Sequence, residues 1–118
     1  MNENKLINLS KEFAVNIINL CDNLIKDGNR FALSNQLLRC GTSIGANIHE
    51  ANYGSSRADF INKLQIALKE CYETDYWLTI LHDSKILDDE CFKNQYDKCC
   101  QIRRILISSI NTAKQNSK

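Results

Sequence analysis

The chain has 118 residues, a formal net charge of +1 and a mean hydropathy of −0.37. One domain of this size buries roughly two-thirds of its unfolded surface, so no disulfide or metal staple is required. The near-neutral charge excludes a global pull toward nucleic acid or membrane, no run approaches the ~20 apolar residues of a bilayer span, and Met1-Asn2-Glu3-Asn4-Lys5 lacks the apolar core of a signal peptide.

The absence of proline and the presence of only four glycines predict long helices with short connections. Leu6, Leu9, Phe13, Ile17, Leu20 and Leu24 recur at spacings of 3, 4, 4, 3 and 4. That is the seam of a helix packed nearly parallel to its neighbours, predicted over residues 4–27. Ile7, Ala14, Ile18, Cys21 and Ile25 widen its apolar surface to about half the circumference. Gly28 follows, where a left-handed C-terminal residue is wanted.

The second helix is predicted over residues 32–53. At about 100° per residue, Leu33, Leu37, Cys40, Gly41, Ile44, Ile48 and Ala51 share one face. Arg39, Ser43, Asn47 and Glu50 form a polar edge, either an interhelical hydrogen-bond network or a ligand or subunit contact. Gly41 and Gly45 each cost a helix roughly 1 kcal/mol relative to alanine, so a neighbour is expected to press close against this backbone.

Gly54 is expected to end that helix and Ser56 to cap the third, over residues 56–82, with Asp59 in a near capping box. Phe60, Leu64, Ala67, Cys71, Leu78 and Leu81 form its seam, with Thr74 at the missing step. Tyr76 and Trp77 fall off that stripe and read as either surface accidents or interface anchors, the broad apolar surface of the first helix favouring the interface. Asp88, followed by Asp89 and Glu90, suits the N-cap of a fourth helix over residues 88–113. Phe92, Tyr96, Cys99, Ile102, Leu106, Ile110 and Ala113 stripe it. Four matched segments predict an all-α, antiparallel up-down-up-down four-helix bundle, one domain over residues 1–118.

The block Leu37–Ala51, containing Ser43-Ile44-Gly45-Ala46-Asn47-Ile48 and then His49-Glu50-Ala51, resembles the signature of the bacterial four-helix bundle proteins, also called 23S rRNA intervening-sequence proteins. A second block agrees: Ala58-Asp59-Phe60-Ile61, Ile66-Ala67-Leu68-Lys69-Glu70, Glu73-Thr74 and Tyr76-Trp77-Leu78. The resemblance covers nearly the whole chain. It implies a small homo-oligomer, since related bundles assemble as five-fold barrels or rings, and hence favours a pentamer. It also implies an origin in insertions within large-subunit rRNA genes, with relatives that act as accessory nucleic-acid-binding proteins beside a reverse transcriptase. Ser43, Asn47 and Glu50 match its motif, whereas it gives no role to Cys40 or His49.

No enzymatic constellation emerges. A carboxylate di-metal site needs two inward Glu-x-x-His pairs, and neither His49 nor His82 follows a glutamate at that spacing. No Cys-x-x-Cys exists among Cys21, Cys40, Cys71, Cys91, Cys99 and Cys100, which read as reduced cytosolic thiols. No glycine-rich phosphate loop is present. Two charges are misplaced: Arg103 lies in the apolar stripe of the fourth helix and Asp75 in that of the third. A buried charge must pair or reach water, so Arg103 is expected to meet Asp75, with Glu50 or Glu73 next, unless the stripe is an oligomer surface where both stay wet.

Residues 84–118 carry seven Lys or Arg against four Asp or Glu, whereas residues 56–83 carry three against five. Lys98, Arg103, Arg104, Lys114 and Lys118 are the candidate nucleic-acid contacts, sparse in a monomer but repeated in a ring. The expected function is a non-catalytic, cytoplasmic, oligomeric scaffold that binds RNA or DNA, with no cofactor or metal. The alternative is a protein–protein interaction module with no nucleic-acid role.

Overall fold

The computed structural model describes residues 2–116, which form α1 (Asn2–Gly28), α2 (Phe31–Ala51), α3 (Arg57–Asp83) and α4 (Asp89–Gln115). No strand occurs among the described residues. The seams predicted from spacing become one core: Leu6, Phe13, Ile17 and Leu24 of α1 meet Leu37, Ile44 and Ile48 of α2. Leu64, Cys71, Leu78 and Leu81 of α3 and Cys99, Ile102 and Leu106 of α4 complete it. Each buried Leu, Ile or Phe contributes about 1.5–3 kcal/mol by leaving water. Leu9, Phe60 and Phe92 are only partly buried at its margin.

The helix ends follow local chemistry. Asn29, not Gly28, takes the left-handed conformation after α1 (φ 52°), and Arg30 N–H then reaches back to the Leu24 carbonyl at 3.3 Å. Asparagine tolerates that region through its short polar side chain, so Gly28 stays helical. The second helix stops at Ala51, two residues short of the expected end, because Tyr53 N–H bonds Glu50 O at 3.0 Å in a tighter turn. Ser56 caps α3 by accepting from Asp59 N–H at 3.1 Å. The capping box is displaced by one residue, since the Asp59 carboxylate takes Ser55 N–H and Oγ–H instead. Asp88 caps α4 by accepting from Cys91 N–H at 2.8 Å.

Cross-helix contacts advance along one helix as they retreat along the next. Cys21 exchanges hydrogen bonds with Ser34, Ile17 packs on Gly41, and the Ser10 carbonyl lies against Gly45. Leu6, Ile48, Asn52, Phe60, Leu64 and Ser109 meet around a small cavity at one end. Leu20, Leu24, Arg30, Leu87 and Cys91 converge at the other end. The result is a rod of 50 × 22 × 19 Å.

Candidate functional site

The polar edge of α2 faces α3. Arg39 Nη1 donates to Glu70 Oε2 at 3.1 Å and Nη2 to Glu73 Oε2, while Lys63 Nζ donates to Glu50 Oε1 at 3.2 Å. Between these clamps, Ser43 Oγ donates to the Arg39 carbonyl at 2.6 Å and Asn47 Nδ2 to the Ser43 carbonyl at 2.8 Å. The charged ends of the edge therefore tie α2 to α3, and its middle folds back on its own helix. The Arg39 hydrogen bond holds the Glu73 carboxyl below its ordinary value, and Glu73 in turn raises Arg39.

A carboxylate depressed by folding stabilises fully above its unfolded pKa and loses that contribution as pH falls through the folded one. The clamp is thus complete at neutral pH and fades below the ordinary carboxylate value of 4.5. Since the Arg39 side chain is 53% exposed, Glu73→Gln is expected to cost at most about 1 kcal/mol at neutral pH. The difference from the parent chain should vanish in strong acid when thermal unfolding is followed across a pH series.

The two misplaced charges find each other. Arg103 Nη1 pairs with Asp75 Oδ2, Nη2 lies 3.1 Å from Cys100 Sγ, and the guanidinium sits 5.3 Å from the Tyr72 ring centre, a cation–π arrangement. Asp75 Oδ1 is buried without a partner among the described residues. Arg103 is therefore engaged inside the bundle, while Glu73 and Glu50 serve Arg39 and Lys63.

The remaining basic residues of α4 do not share a face. Lys98 Nζ lies 3.7 Å from Glu12 Oε1 on α1. Arg104 and Lys114 are exposed and form no ion pair among the described residues. At about 100° per residue, Lys98 and Lys114 point about 160° apart. Lys118 lies outside the described residues. Tyr76 is exposed and meets Trp77 edge-on at 5.2 Å between ring centres. Trp77, placed off the core by spacing, is half-buried and packs against the core margin.

Two features escaped the sequence reading. At the α2–α3 turn Tyr53 is 78% exposed, with its ring 5.2 Å from that of His49. Beside it a cleft of about 380 Å³ is lined by Ala51, Asn52, Gly54, Ser56, Arg57 and Phe60. Beside the α1–α2 seam Ile18 and Phe31 are 45% and 56% exposed, and Val15, on the outward face of α1, is 57% exposed. The widened apolar row of α1 was legible, but Phe31 was not, because it opens α2 before any periodicity is established.

All six cysteines are free. Burial pushes Cys40 up to about 11. The neighbouring Cys71, then burial, raise Cys99 far above the ordinary thiol value. Burial also raises Cys21, Cys91 and Cys100. None of these five is poised as a thiolate. Among the described residues no three His, Cys, Asp or Glu side chains converge as a metal site, and no helix is long and apolar enough to cross a membrane.

The model of the 23S rRNA-intervening sequence protein family matches residues 2–108. No curated protein matches the chain. A crystal structure of a protein with unknown function, from the S23 ribosomal protein family of Bacteroides thetaiotaomicron VPI-5482, is 47% identical. The similarity covers 94% of this chain and 99% of that one, with a TM-score of 0.92. The matched span holds all of α1 to α3 and most of α4, including the clamped edge of α2. The chain belongs to the 23S rRNA-intervening sequence protein family.

Proposed function

We propose that this protein is a non-catalytic accessory scaffold of the cytoplasm: an up-down-up-down bundle that self-associates into a ring and presents a repeated basic surface to RNA. The observation that carries it is the apolar flank of the α1–α2 seam. At about 100° per residue, Ile7, Ala14, Ile18 and Ile25 lie within about 40° of one another on α1. Phe31 and Leu38 border the same seam from α2, beside the close approach at Gly41 and Gly45. A second copy of the chain is the occupant that family resemblance favours, with five as the count. Repetition around a ring multiplies phosphate contacts that are weak singly, and Arg104 and Lys114 are free to contribute.

The first test is native mass by light scattering. The parent chain is expected well above its 13.5 kDa monomer, and Ile18→Glu with Phe31→Glu is expected to fall to the monomer with helicity intact. A monomeric parent chain would remove the ring. The second test is binding of a structured rRNA fragment across a salt series, where phosphate contacts give a steep loss with salt. A folded oligomer that binds no RNA would turn the reading to the protein–protein interaction module.

A further inference from the structure

Charge is polarised along the bundle axis. The half that holds the α2–α3 turn (residues 4–14, 41–70 and 103–116) carries eight Lys or Arg against four Asp or Glu, a balance of +4. The other half (residues 15–40 and 71–102) carries six against nine, a balance of −3. The net +1 conceals this. A polyanion is drawn to the first end and repelled from the second, on a rod long enough for the separation to exceed the screening length of about 8 Å at physiological salt.

The same basic end carries the most exposed aromatic ring among the large apolar side chains of the described residues, that of Tyr53. His49 supports it from the preceding turn of α2. Arg57 follows four residues on, exposed and without an ion pair among the described residues. The open cleft at the same turn, about 380 Å³ in volume, has Arg57 in its wall together with Ala51, Asn52, Gly54, Ser56 and Phe60, while Tyr53 stands outside it. The first-turn amides of α3 are not needed here, because the Asp59 carboxylate already occupies the turn before them. An aromatic face beside cationic side chains is the arrangement that holds unpaired nucleotides, with bases stacked and phosphates neutralised. Paired bases cannot reach such a ring.

We propose that the α2–α3 turn is the RNA contact: Tyr53, backed by His49, stacks an unpaired base on the surface of the turn, and Arg57, in the wall of the neighbouring cleft, holds a phosphate. This rests on the RNA-scaffold reading and replaces the α4 residues as the principal contact.

The test is fluorescence anisotropy with a labelled RNA hairpin carrying an unpaired uridine loop, and with the fully paired duplex as comparator. Helicity of each variant is checked by circular dichroism. Tyr53→Ala is expected to weaken hairpin binding about tenfold or more and to leave duplex binding almost unchanged. Arg57→Glu is expected to weaken both and to flatten the salt slope, whereas Lys26→Glu at the acidic end is expected to change neither. Hairpin binding that survives Tyr53→Ala and Arg57→Glu but is lost in Arg104→Glu would overturn the proposal and leave the RNA-scaffold reading standing. Equal losses on hairpin and duplex with Tyr53→Ala would overturn the stacking role. No binding by the parent chain would overturn the proposal together with the reading beneath it.

Discussion

Arg103→Met is expected to lower stability by about 2–3 kcal/mol, and Asp75→Leu in the same chain to recover most of that loss. The single change removes the cation and leaves the Asp75 carboxylate inside the helix 3–helix 4 interface, where Oδ1 already lacks a partner. An uncompensated buried charge costs about 3–5 kcal/mol when fully enclosed. The side chains of Arg103 and Asp75 are 22% and 12% exposed, so water screens part of it and the lower figure applies. Asp75→Asn is expected to cost less, about 1–2 kcal/mol, since the Arg103 head keeps its Tyr72 face and its path to solvent. Chemical denaturation of the two single variants and the double variant closes a cycle. If the single and double variants were equally unstable, the loss would lie in packing of the arginine stem rather than in the orphaned charge.

Asp75 stood first among the partners expected for Arg103, ahead of Glu50 and Glu73, because a charge in an apolar stripe must pair or reach water, and the pair forms. The helices were legible for a related reason: the 3–4 spacing of Leu6, Phe13, Ile17 and Leu24 is imposed by the core they fill. The Ser56 and Asp88 caps carry their own chemistry and read directly. What stayed hidden depends on facts that periodicity does not encode. The expected C-terminal ends of α1 and α2 were off by one and two residues, because Asn29 rather than Gly28 accepts the left-handed conformation and Tyr53 N–H closes a tighter turn on the Glu50 carbonyl. Trp77 follows by one turn Glu73, which meets Arg39 of α2, and it packs against the core margin, so a residue off the seam still finds cover. The basic residues of α4 looked collective in a list but diverge around the helix, and Lys98 finds Glu12 on a different element. The Tyr53–Arg57 turn has no period at all, and its significance rests on which helix ends converge there.

Gly41→Val is expected to be the most damaging single change, with a loss of about 3 kcal/mol or more. That is a large fraction of a total stability of about 5–15 kcal/mol. A Cβ built at Gly41 would stand 2.9 Å from Ile17 Cγ2 and 3.0 Å from Cγ1, well inside the ordinary contact of about 3.5–4.0 Å. Ile17 is wholly buried, so its side chain has no open direction to yield, and α1 must shift. Valine adds two further methyl groups to that overlap, while the helix gain from replacing glycine is below 1 kcal/mol. Gly45→Ala is the contrast. Its Cβ would meet the Ser10 carbonyl oxygen at 3.3 Å, a displacement of a few tenths of an ångström, and the gain in helix propensity of about 1 kcal/mol offsets it. Thermal unfolding should therefore drop by roughly 10 °C or more for Gly41→Val and scarcely move for Gly45→Ala. Because the flank proposed to carry self-association runs along this seam, the proposal expects the folded fraction of Gly41→Val to show a lower native mass than the parent chain. A Gly41→Val chain as stable as the parent would mean that α1 and α2 are spaced by something other than the missing side chain.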